Sequence, residues 1–264
     1  MKQNAMLAAR LGSIGALIVS MATASAAAPA EAPLQLYYYE RPPFHSSDAG
    51  GHVVGRFVAP TEQILRRAGL RFEWVPMPAN RVLATLRSAA TPACSPGWYA
   101  TPERQAEFWL SRPMLHDRPL IALLRADFPV PPGVTAKAFF QLPSLRLLVK
   151  QNFSQGAYMN ALIERMPAPQ VQQVTLEVPG MVQMLKADRA DVIITTEAEA
   201  ALFVSEAGFS MSEFQVLHFP DTPDDEYRYL ICSPTIAAPI RARIDRAIRL
   251  LGPGPRERQA GLPG

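Results

Sequence analysis

The sequence has few cysteines, a modest share of charged residues and almost no excess charge of either sign. Cys94 and Cys232 are the two cysteines among 264 residues, and charged residues make up 19% of the chain. Lys2 and Arg10 lie in the first 26 positions, so 24 of the 26 basic residues remain against 23 acidic ones, a net charge of +1. This near balance excludes the basic surface that binding to nucleic acid or to an anionic membrane requires. No run of 18 apolar residues follows position 26, so no membrane-spanning helix is predicted.

The motifs of the common enzyme classes are also absent from the sequence. It contains no H-E-x-x-H, G-x-S-x-G, P-loop or G-x-G-x-x-G pattern. The four histidines are scattered and lack zinc-ligand spacing: His45, His52, His116 and His218. An acidic cluster in a proline-rich loop is interpreted as solvated rather than as a calcium site: Asp221, Asp224, Asp225 and Glu226. We therefore predict that the chain is not an enzyme and holds neither a cofactor nor a metal.

Residues 1–26 have the three parts of a secretory signal peptide. Lys2 and Arg10 give a positive start, an apolar stretch follows, and small residues surround an expected cleavage site near Ala26 or Ala28. A membrane anchor is the alternative, but the apolar stretch is short for a hydrocarbon core of about 30 Å, and no cysteine follows it for lipidation. We expect an exported, periplasmic protein.

Short apolar strands alternate with amphipathic helices along the rest of the chain. Strands are predicted at 34–39, 71–75, 93–95, 119–125, 145–149, 171–175, 191–194, 214–219 and 227–232. Helices are predicted at 57–68, 80–89, from Thr101, and at 135–141, 154–166, 179–187, 197–207 and 239–251. The alternation is typical of α/β proteins with mainly parallel sheets, and the 26 prolines argue against long helices.

The strand–helix pattern runs twice, which predicts two lobes with a cleft between them. The blocks cover about 34–124 and 127–219, and a last strand and helix return to the first block. We expect lobe one at 27–124 plus 228–251, lobe two at 125–227, hinge crossings near 125–127 and 219–227, and a flexible tail at 252–264. Such clefts are common ligand sites, and the loops that follow the strands provide the contacts.

Several segments of both blocks follow one another in a characteristic order and spacing. In the first block they are Pro43-Phe44, the glycine loop 50–55, the helix 57–68, Trp74 with its proline-rich turn, Arg81, Thr101-x-x-Arg104 and Ser111-x-Pro113. In the second block they are 144–149 followed by Ser154, and the leucine, short turn, aspartate and apolar strand of 185–194. Over about 34–251 the chain resembles family 3 of the extracellular solute-binding proteins, the type II periplasmic receptors of polar amino-acid ABC transporters.

The resemblance implies a type II periplasmic-binding-protein fold with two lobes and two hinge crossings. It also implies that a small, carboxylate-bearing solute, an amino acid or a related organic acid, is captured between the lobes and delivered to an ABC permease in the inner membrane. We expect a monomer. One alternative is a receptor that signals to a membrane partner. Another is a periplasmic enzyme of dehydratase or lyase type on the same fold, for which Glu40 beside Arg41 is the candidate acid–base residue.

Two residues are matched by the resemblance to the ligand carboxylate. Arg104 corresponds to the family's carboxylate-binding arginine, and a planar guanidinium with two parallel N–H donors suits this anion. The alternative for Arg104 is a surface pair with Glu107, three residues further along the helix. Ser154 would be the second donor, from lobe two, and its alternative is a helix N-cap without a ligand contact.

The chain departs from the family's pattern at the position that accepts the ligand's ammonium. Family members that bind α-amino acids usually have an acidic residue five positions after the counterpart of Asp191, and here that position is Thr196. We expect Thr196 and Glu197 to contact the ligand from lobe two. Either Glu197 shifts into the cleft to replace the missing acidic residue, or the ligand has no α-ammonium. A buried ammonium without a carboxylate partner would be costly.

Further candidates for ligand contacts come from lobe one. Tyr38, Tyr39 and Phe44 follow the first strand, where aromatic faces can stack on a ligand, although some must pack in the core because side chains alternate along a strand. Arg81 begins a helix, and its alternative is a solvated helix face. Trp98 or Tyr99 would cap the cleft, with an exposed loop aromatic as the alternative.

The pairing of the cysteines is left open by the residues themselves. Two cysteines in an exported chain fit a single disulfide, but they fit two buried thiols equally well. The resemblance places the third strand of lobe one, which carries Cys94, beside the returning strand that carries Cys232. We therefore expect these two residues to form a disulfide.

Overall fold

The computed structural model describes residues 32–88, 92–223 and 226–252. The expected signal peptide with its cleavage sites at Ala26 and Ala28, the tail beyond Gly252, and Asp224 and Asp225 of the acidic cluster lie outside these residues. Within the described ranges, none of the helices has both the length and the apolar character that crossing a bilayer demands.

The strands and helices alternate much as the sequence predicts. The strands are β1 Leu34–Tyr38, β2 Ser46–Ser47, β3 Val53–Val54, β4 Phe72–Pro76, β5 Ala93–Trp98, β6 Trp109–Leu110, β7 Leu115–His116, β8 Ile121–Arg125, β9 Leu147–Lys150, β10 Val171–Val174, β11 Val192–Thr195, β12 Phe214–His218 and β13 Tyr227–Cys232. The helices are α1 Val58–Arg67, α2 Ala79–Ser88, α3 Pro102–Glu107, α4 Ala136–Phe139, α5 Gly156–Ile163, α6 Val178–Lys186, α7 Glu197–Glu206 and α8 Ala238–Leu251.

Two sheets form the centres of the two lobes, and their strand orders are equivalent. The first sheet has the order β4-β1-β5-β13-β6, and the second has the order β10-β9-β11-β8-β12. In each sheet the first two pairings are parallel and the last two are antiparallel. In the first sheet β7 also pairs antiparallel with β13. The expected two-lobed α/β architecture is therefore confirmed, but the sheets are mixed rather than mainly parallel.

The boundary between the lobes differs from the expected one. The strand predicted at 119–125 was assigned to lobe one, but β8 pairs with β11 and β12 of the second sheet. The chain therefore crosses between the sheets at 117–120, before β8, and not at 125–127. The sequence of an apolar strand does not indicate which sheet the strand joins, because strand pairing depends on residues that are distant along the chain.

Helix packing on the first sheet explains why α8 returns to it. Ile240, Ile244 and Ile248 of α8 are buried in one cluster with Leu65 of α1 and Leu36 of β1. The spacing of the three isoleucines puts them on one helix face, which covers the sheet.

Cys94 and Cys232 form a disulfide, as the family resemblance led us to expect. They are direct partners in the antiparallel ladder between β5 and β13. The bond therefore joins the returning strand to the first block across a sequence separation of 138 residues.

Candidate functional site

A cleft of about 1370 Å³ lies between the two lobes. Lobe one lines it with segments that follow β1 and β4 and with the end of β5 and the start of α3. Lobe two lines it with segments that follow β9 and β10, the end of β11, and α7. These are the carboxyl ends of the parallel strands in both sheets, where α/β proteins bind their ligands.

Arg104 points a nearly buried guanidinium into this cleft. Helix α3 begins as predicted, since the Thr101 side chain accepts a hydrogen bond from the Arg104 backbone N–H and Pro102 takes the first helical position. Arg104 is 8% exposed and lines the cleft. Its Nη1 donates a 2.9 Å hydrogen bond to the Tyr99 carbonyl, and its guanidinium carbon lies 4.8 Å from the centre of the Trp98 ring.

Arg104 differs from the other cations of the cleft because it has no carboxylate partner within the described residues. The other pairs along the cleft are Arg41–Glu199, Arg87–Glu107, Lys150–Glu177 and Arg228–Asp117. Glu107, the partner considered for Arg104 in a surface pair, is thus bound to Arg87 instead. Burial is the main cause that lowers the pKa of Arg104, to about 10, and the nearby Arg228 acts in the same direction. The arrangement leaves one desolvated positive charge that an anion in the cleft would neutralise.

A buried ionic cluster supports the wall behind Arg104. The Nε of Arg228 donates to Oδ2 of Asp117 at 2.6 Å, and the Tyr99 hydroxyl donates to the same oxygen at 2.8 Å. Burial raises the pKa of Asp117, but the Arg228 cation, the hydrogen bonds from Tyr99 and Arg228 and the nearby Arg56 together outweigh burial, and the net pKa is lowered. The Arg228 guanidinium carbon lies 3.5 Å from the centre of the Tyr99 ring. The cluster fixes Tyr99, and the carbonyl of Tyr99 in turn holds Arg104.

Gly97 allows the backbone of β5 to pass close to the ring of Phe57. Its φ is +85°, and a Cβ at this position would lie 2.4 Å from the Phe57 ring. A side chain would therefore be strained and would also clash.

Three aromatic rings meet at the cleft. The Tyr39 ring lies 6.3 Å from the Trp98 ring and 6.1 Å from the Phe153 ring, both edge-to-face. Tyr39 and Trp98 belong to lobe one and Phe153 to lobe two, so the rings contact one another across the cleft. Trp98 is 8% exposed, with its indole N–H bonded to Ser95, and it is not the exposed loop aromatic that was the alternative.

Ser154 lines the cleft from lobe two, but it is not the helix cap that the sequence suggests. Helix α5 begins at Gly156, and Gln155 holds the N-cap position. The Ser154 hydroxyl accepts hydrogen bonds from the Gly156 backbone N–H at 3.2 Å and from the Asn160 amide at 2.8 Å. It lies beside the helix start and faces the cleft.

Thr196 and Glu197 lie outside the cleft lining, contrary to expectation. Thr196 is the N-cap of α7, is 2% exposed, and forms a capping box with Glu199. The Glu197 carboxylate lies 3.9 Å from His218, away from the cleft, and its side chain is 46% exposed. Glu199 is the acidic residue of this segment that lines the cleft. About half a helical turn explains the difference, since residues two apart lie on nearly opposite faces of a helix.

Phe44 and Arg81, which were predicted to contact the ligand, also lie outside the cleft lining. Phe44 is fully buried and stacks on Phe57 at 4.7 Å, so it belongs to the core of lobe one. Tyr38 is likewise buried, and its hydroxyl lies 3.0 Å from that of Ser47. Arg81 is exposed and is not among the cleft-lining residues. This placement agrees with the alternative interpretation, a residue on a solvated helix face.

The sequence held one unused signal for the site. Thr196 and Glu199 have the T-x-x-E spacing of a capping box, which identifies Thr196 as structural and turns Glu199 back toward the helix start. Phe153 and Lys150 had no comparable signal, because they are loop and strand-end residues whose direction is set by the fold.

The described residues hold no group of three or more potential metal ligands. Asp221 of the acidic cluster accepts hydrogen bonds from the backbone N–H of Ala136 at 2.6 Å and from the Tyr158 hydroxyl at 2.6 Å. This carboxylate thus stabilises the start of α4 and is not simply solvated.

Comparison with known proteins agrees with this architecture. Residues 36–142 match the family model of bacterial extracellular solute-binding proteins, family 3. No curated protein sequence matches the chain. An ancestral arginine-binding protein bound to arginine shares 17% identity at a TM-score of 0.62, with 83% of this chain and 92% of that chain covered.

Two further solved structures have the same fold. The arginine-, lysine-, histidine-binding protein ArtJ from Geobacillus stearothermophilus shares 21% identity at a TM-score of 0.63, covering 83% of this chain and 89% of that one. A histidine kinase sensor domain with similarity to periplasmic binding proteins shares 15% identity at a TM-score of 0.64, covering 84% and 90%. The resemblance inferred from the sequence is therefore confirmed: residues 36–142 carry the sequence pattern of family 3 of the solute-binding proteins, and the chain has their two-lobed fold.

Proposed function

We propose that the protein is a periplasmic solute receptor that binds a small carboxylate-bearing solute between its lobes and delivers it to an ABC-type importer. The observation that carries this proposal is the buried guanidinium of Arg104, which lines the cleft and has no carboxylate partner within the described residues. A ligand carboxylate would provide the missing charge through two parallel hydrogen bonds.

The location outside the cytoplasm is supported by two features. The sequence begins with a basic and apolar leader, and the folded part contains the Cys94–Cys232 disulfide. Disulfides persist in oxidising compartments such as the periplasm.

The proposed mechanism is closure of the lobes around the ligand. Trp98 and Arg104 contribute from lobe one, and Ser154 and Phe153 contribute from lobe two. The crossing at 117–120 and the segment 219–223, which follows β12, would act as the hinge. A membrane permease would recognise the closed form.

A thermal-shift screen of the refolded, ligand-free protein tests the proposal. The library contains amino acids, dicarboxylates, keto acids, opines, polyamines and small aromatic acids. A ligand at a hundredfold excess over its Kd adds about 2.7 kcal/mol to the free energy of unfolding. The Arg104→Ala variant should lose this stabilisation, while Arg81→Ala, which removes an equal charge outside the cleft, should keep it. Near-native affinity in Arg104→Ala would contradict the assignment of the site.

A sensor role is the second candidate, and the shared fold with a histidine kinase sensor domain favours it. In that case the closed form would be recognised by a membrane sensor. Adjacent permease and ATPase genes would support transport, whereas an adjacent sensor kinase gene would support signalling.

A further inference from the structure

Arg41 and Glu199 form an ion pair that spans the cleft. Arg41 follows β1 of lobe one, and Glu199 lies in the first turn of α7 in lobe two. The Nη2 and Nε atoms of Arg41 lie 2.7 and 2.8 Å from Oε1 of Glu199. The side chains are 17% and 5% exposed, respectively. Both residues line the cleft, so this pair is part of the surface that a ligand meets.

The Glu199 carboxylate has its hydrogen-bonding capacity filled by the protein. Oε1 accepts from two nitrogens of Arg41. Oε2 accepts from the hydroxyls of Thr195 at 3.2 Å and Thr196 at 3.1 Å, and it lies 3.5 Å from the Thr196 backbone N–H. A carboxylate offers about four acceptor positions, so none is left for a further donor.

Arg41 is held in this position by contacts with both lobes. Its backbone N–H donates to the His45 carbonyl at 2.8 Å, and its carbonyl accepts from the Phe44 N–H at 2.9 Å, which closes a tight loop. The guanidinium carbon lies 4.8 Å from the centre of the Phe44 ring and 5.5 Å from that of Phe153. Burial is the largest single influence and lowers the pKa of Arg41, but the charge and hydrogen bond of Glu199 together with those of Tyr39 outweigh burial, and the net pKa is raised.

Glu199 is the buried carboxylate of the cleft. The other carboxylates that line it within the described residues are exposed: Glu40, Glu103, Glu107, Glu177 and Glu206. A ligand ammonium held deep in the cleft would have to meet Glu199. It would then displace Arg41 and leave that guanidinium without its partner.

We propose that Arg41 acts as a built-in cation in place of a ligand ammonium, so that the cleft selects carboxylic acids without an α-ammonium group. This inference rests on the proposed function and names the substrate class of the same site. Arg104 binds the carboxylate. Apolar and aromatic side chains surround the rest of the acid: Tyr39, Met77, Trp98, Phe108, Phe153 and Phe203.

The two arginines therefore have different roles in selectivity. Arg104 has no internal counter-ion, so it requires an anionic ligand. Arg41 has already neutralised Glu199, so it removes the acceptor for an amine. An α-amino acid satisfies the first condition and fails the second, because its ammonium would be desolvated without a partner.

Matched pairs of ligands that differ by a single amino group test the proposal by calorimetry on the ligand-free protein. The pairs are 3-phenylpropanoate with phenylalanine, 4-methylpentanoate with leucine, and glutarate with glutamate. The wild type should bind the acid without the amino group at least tenfold more tightly in the pair that fits the cleft.

Three variants assign any preference to the ion pair. Arg41→Met uncovers Glu199 and should shift the ratio of affinities toward the amino acid by at least tenfold. The double variant Arg41→Met/Glu199→Gln removes both charges, so it should retain the preference for the acid without the amino group. Arg81→Met removes an exposed arginine outside the cleft and should leave the ratio unchanged.

The outcomes separate this inference from the function on which it rests. If the amino acid of a pair binds as tightly as its partner and Arg104→Ala abolishes that binding, the inference is wrong and the receptor function stands. An affinity ratio in Arg41→Met equal to that in Arg81→Met also overturns the inference. If no member of any pair binds the wild type, the inference is overturned, and the wider thermal-shift library decides the proposed function.

Discussion

The Nη1 of Arg104 donates a hydrogen bond of 2.9 Å to the carbonyl of Tyr99, and this contact connects Arg104 to the buried cluster of Tyr99, Asp117 and Arg228. The Tyr99 hydroxyl donates to Asp117, which also accepts from Arg228. The guanidinium of Arg104 is thus held by Tyr99, and Tyr99 is in turn fixed by the ion pair of Asp117 and Arg228.

Replacing Arg104 by methionine should separate ligand binding from stability. Methionine keeps an apolar stem against Trp98 but removes a buried charge without a partner, so we expect the free energy of unfolding without ligand to rise by about 1 kcal/mol. Urea unfolding measures this change, with Arg81→Met as the control at an exposed position. A fall of more than about 1 kcal/mol in Arg104→Met would mean that its guanidinium stabilises the fold.

The Tyr99 hydroxyl should contribute measurably to stability. Tyr99→Phe leaves the ring over Arg228 in place but removes one donor to the buried Asp117, whose Oδ1 already lacks a hydrogen bond within the described residues. We expect the free energy of unfolding to fall by about 1–3 kcal/mol. The matched control is Tyr227→Phe, because the Tyr227 ring packs edge-on against His116 and its hydroxyl makes no hydrogen bond within the described residues. Equal effects in the two variants would refute the role of the cluster.

His45 should make the stability depend on pH. It is 1% exposed, and its Nδ1 lies 2.6 Å from the Tyr39 carbonyl. Burial first, and then the charge of Arg41, lower its pKa from 6.5 to about 4. Between pH 4 and 6.5 the unfolded chain binds more protons than the folded chain. The contribution of His45 to the free energy of unfolding is therefore complete above pH 6.5 and is lost as the pH falls toward 4. The loss amounts to about 3 kcal/mol at most.

Unfolding measured from pH 7 to pH 5 tests the effect of His45, since most carboxyl groups titrate below this range. His45→Gln should flatten the dependence, and His52→Gln, at a side chain that is 82% exposed, should preserve it. A slope that survives in His45→Gln would assign the dependence to another group.

Removing the disulfide should lower stability without removing the fold. The bond closes a loop with a sequence separation of 138 residues, for which loop entropy predicts a loss of about 4–5 kcal/mol. Urea unfolding of Cys94→Ala/Cys232→Ala, compared with the wild type with and without reductant, gives the value. Two titratable thiols in the denatured, unreduced wild type would contradict the bond itself.

Local patterns in the sequence were sufficient to predict the helices and strands and part of the candidate ligand site. The helix at Arg104 followed from Thr101, Pro102 and Glu103, since an N-cap, a first-turn proline and an acidic residue each act within one turn. The expected role of Arg104 in binding a carboxylate and the pairing of Cys94 with Cys232 followed from the family resemblance. These features depend on the order of segments and are therefore readable from the chain.

Hydrophobic periodicity and capping are local, so the amino-acid pattern alone predicts the alternation of strands and helices, the two blocks and the start of the helix that carries Arg104. The folded chain was needed to show that β8 belongs to the second sheet, that Phe44 lies in the core, and that Glu199 rather than Glu197 meets Arg41. Sheet membership and the contact between residues 158 positions apart depend on long-range packing, and a change of two residues on a helix reverses the face on which a carboxylate lies.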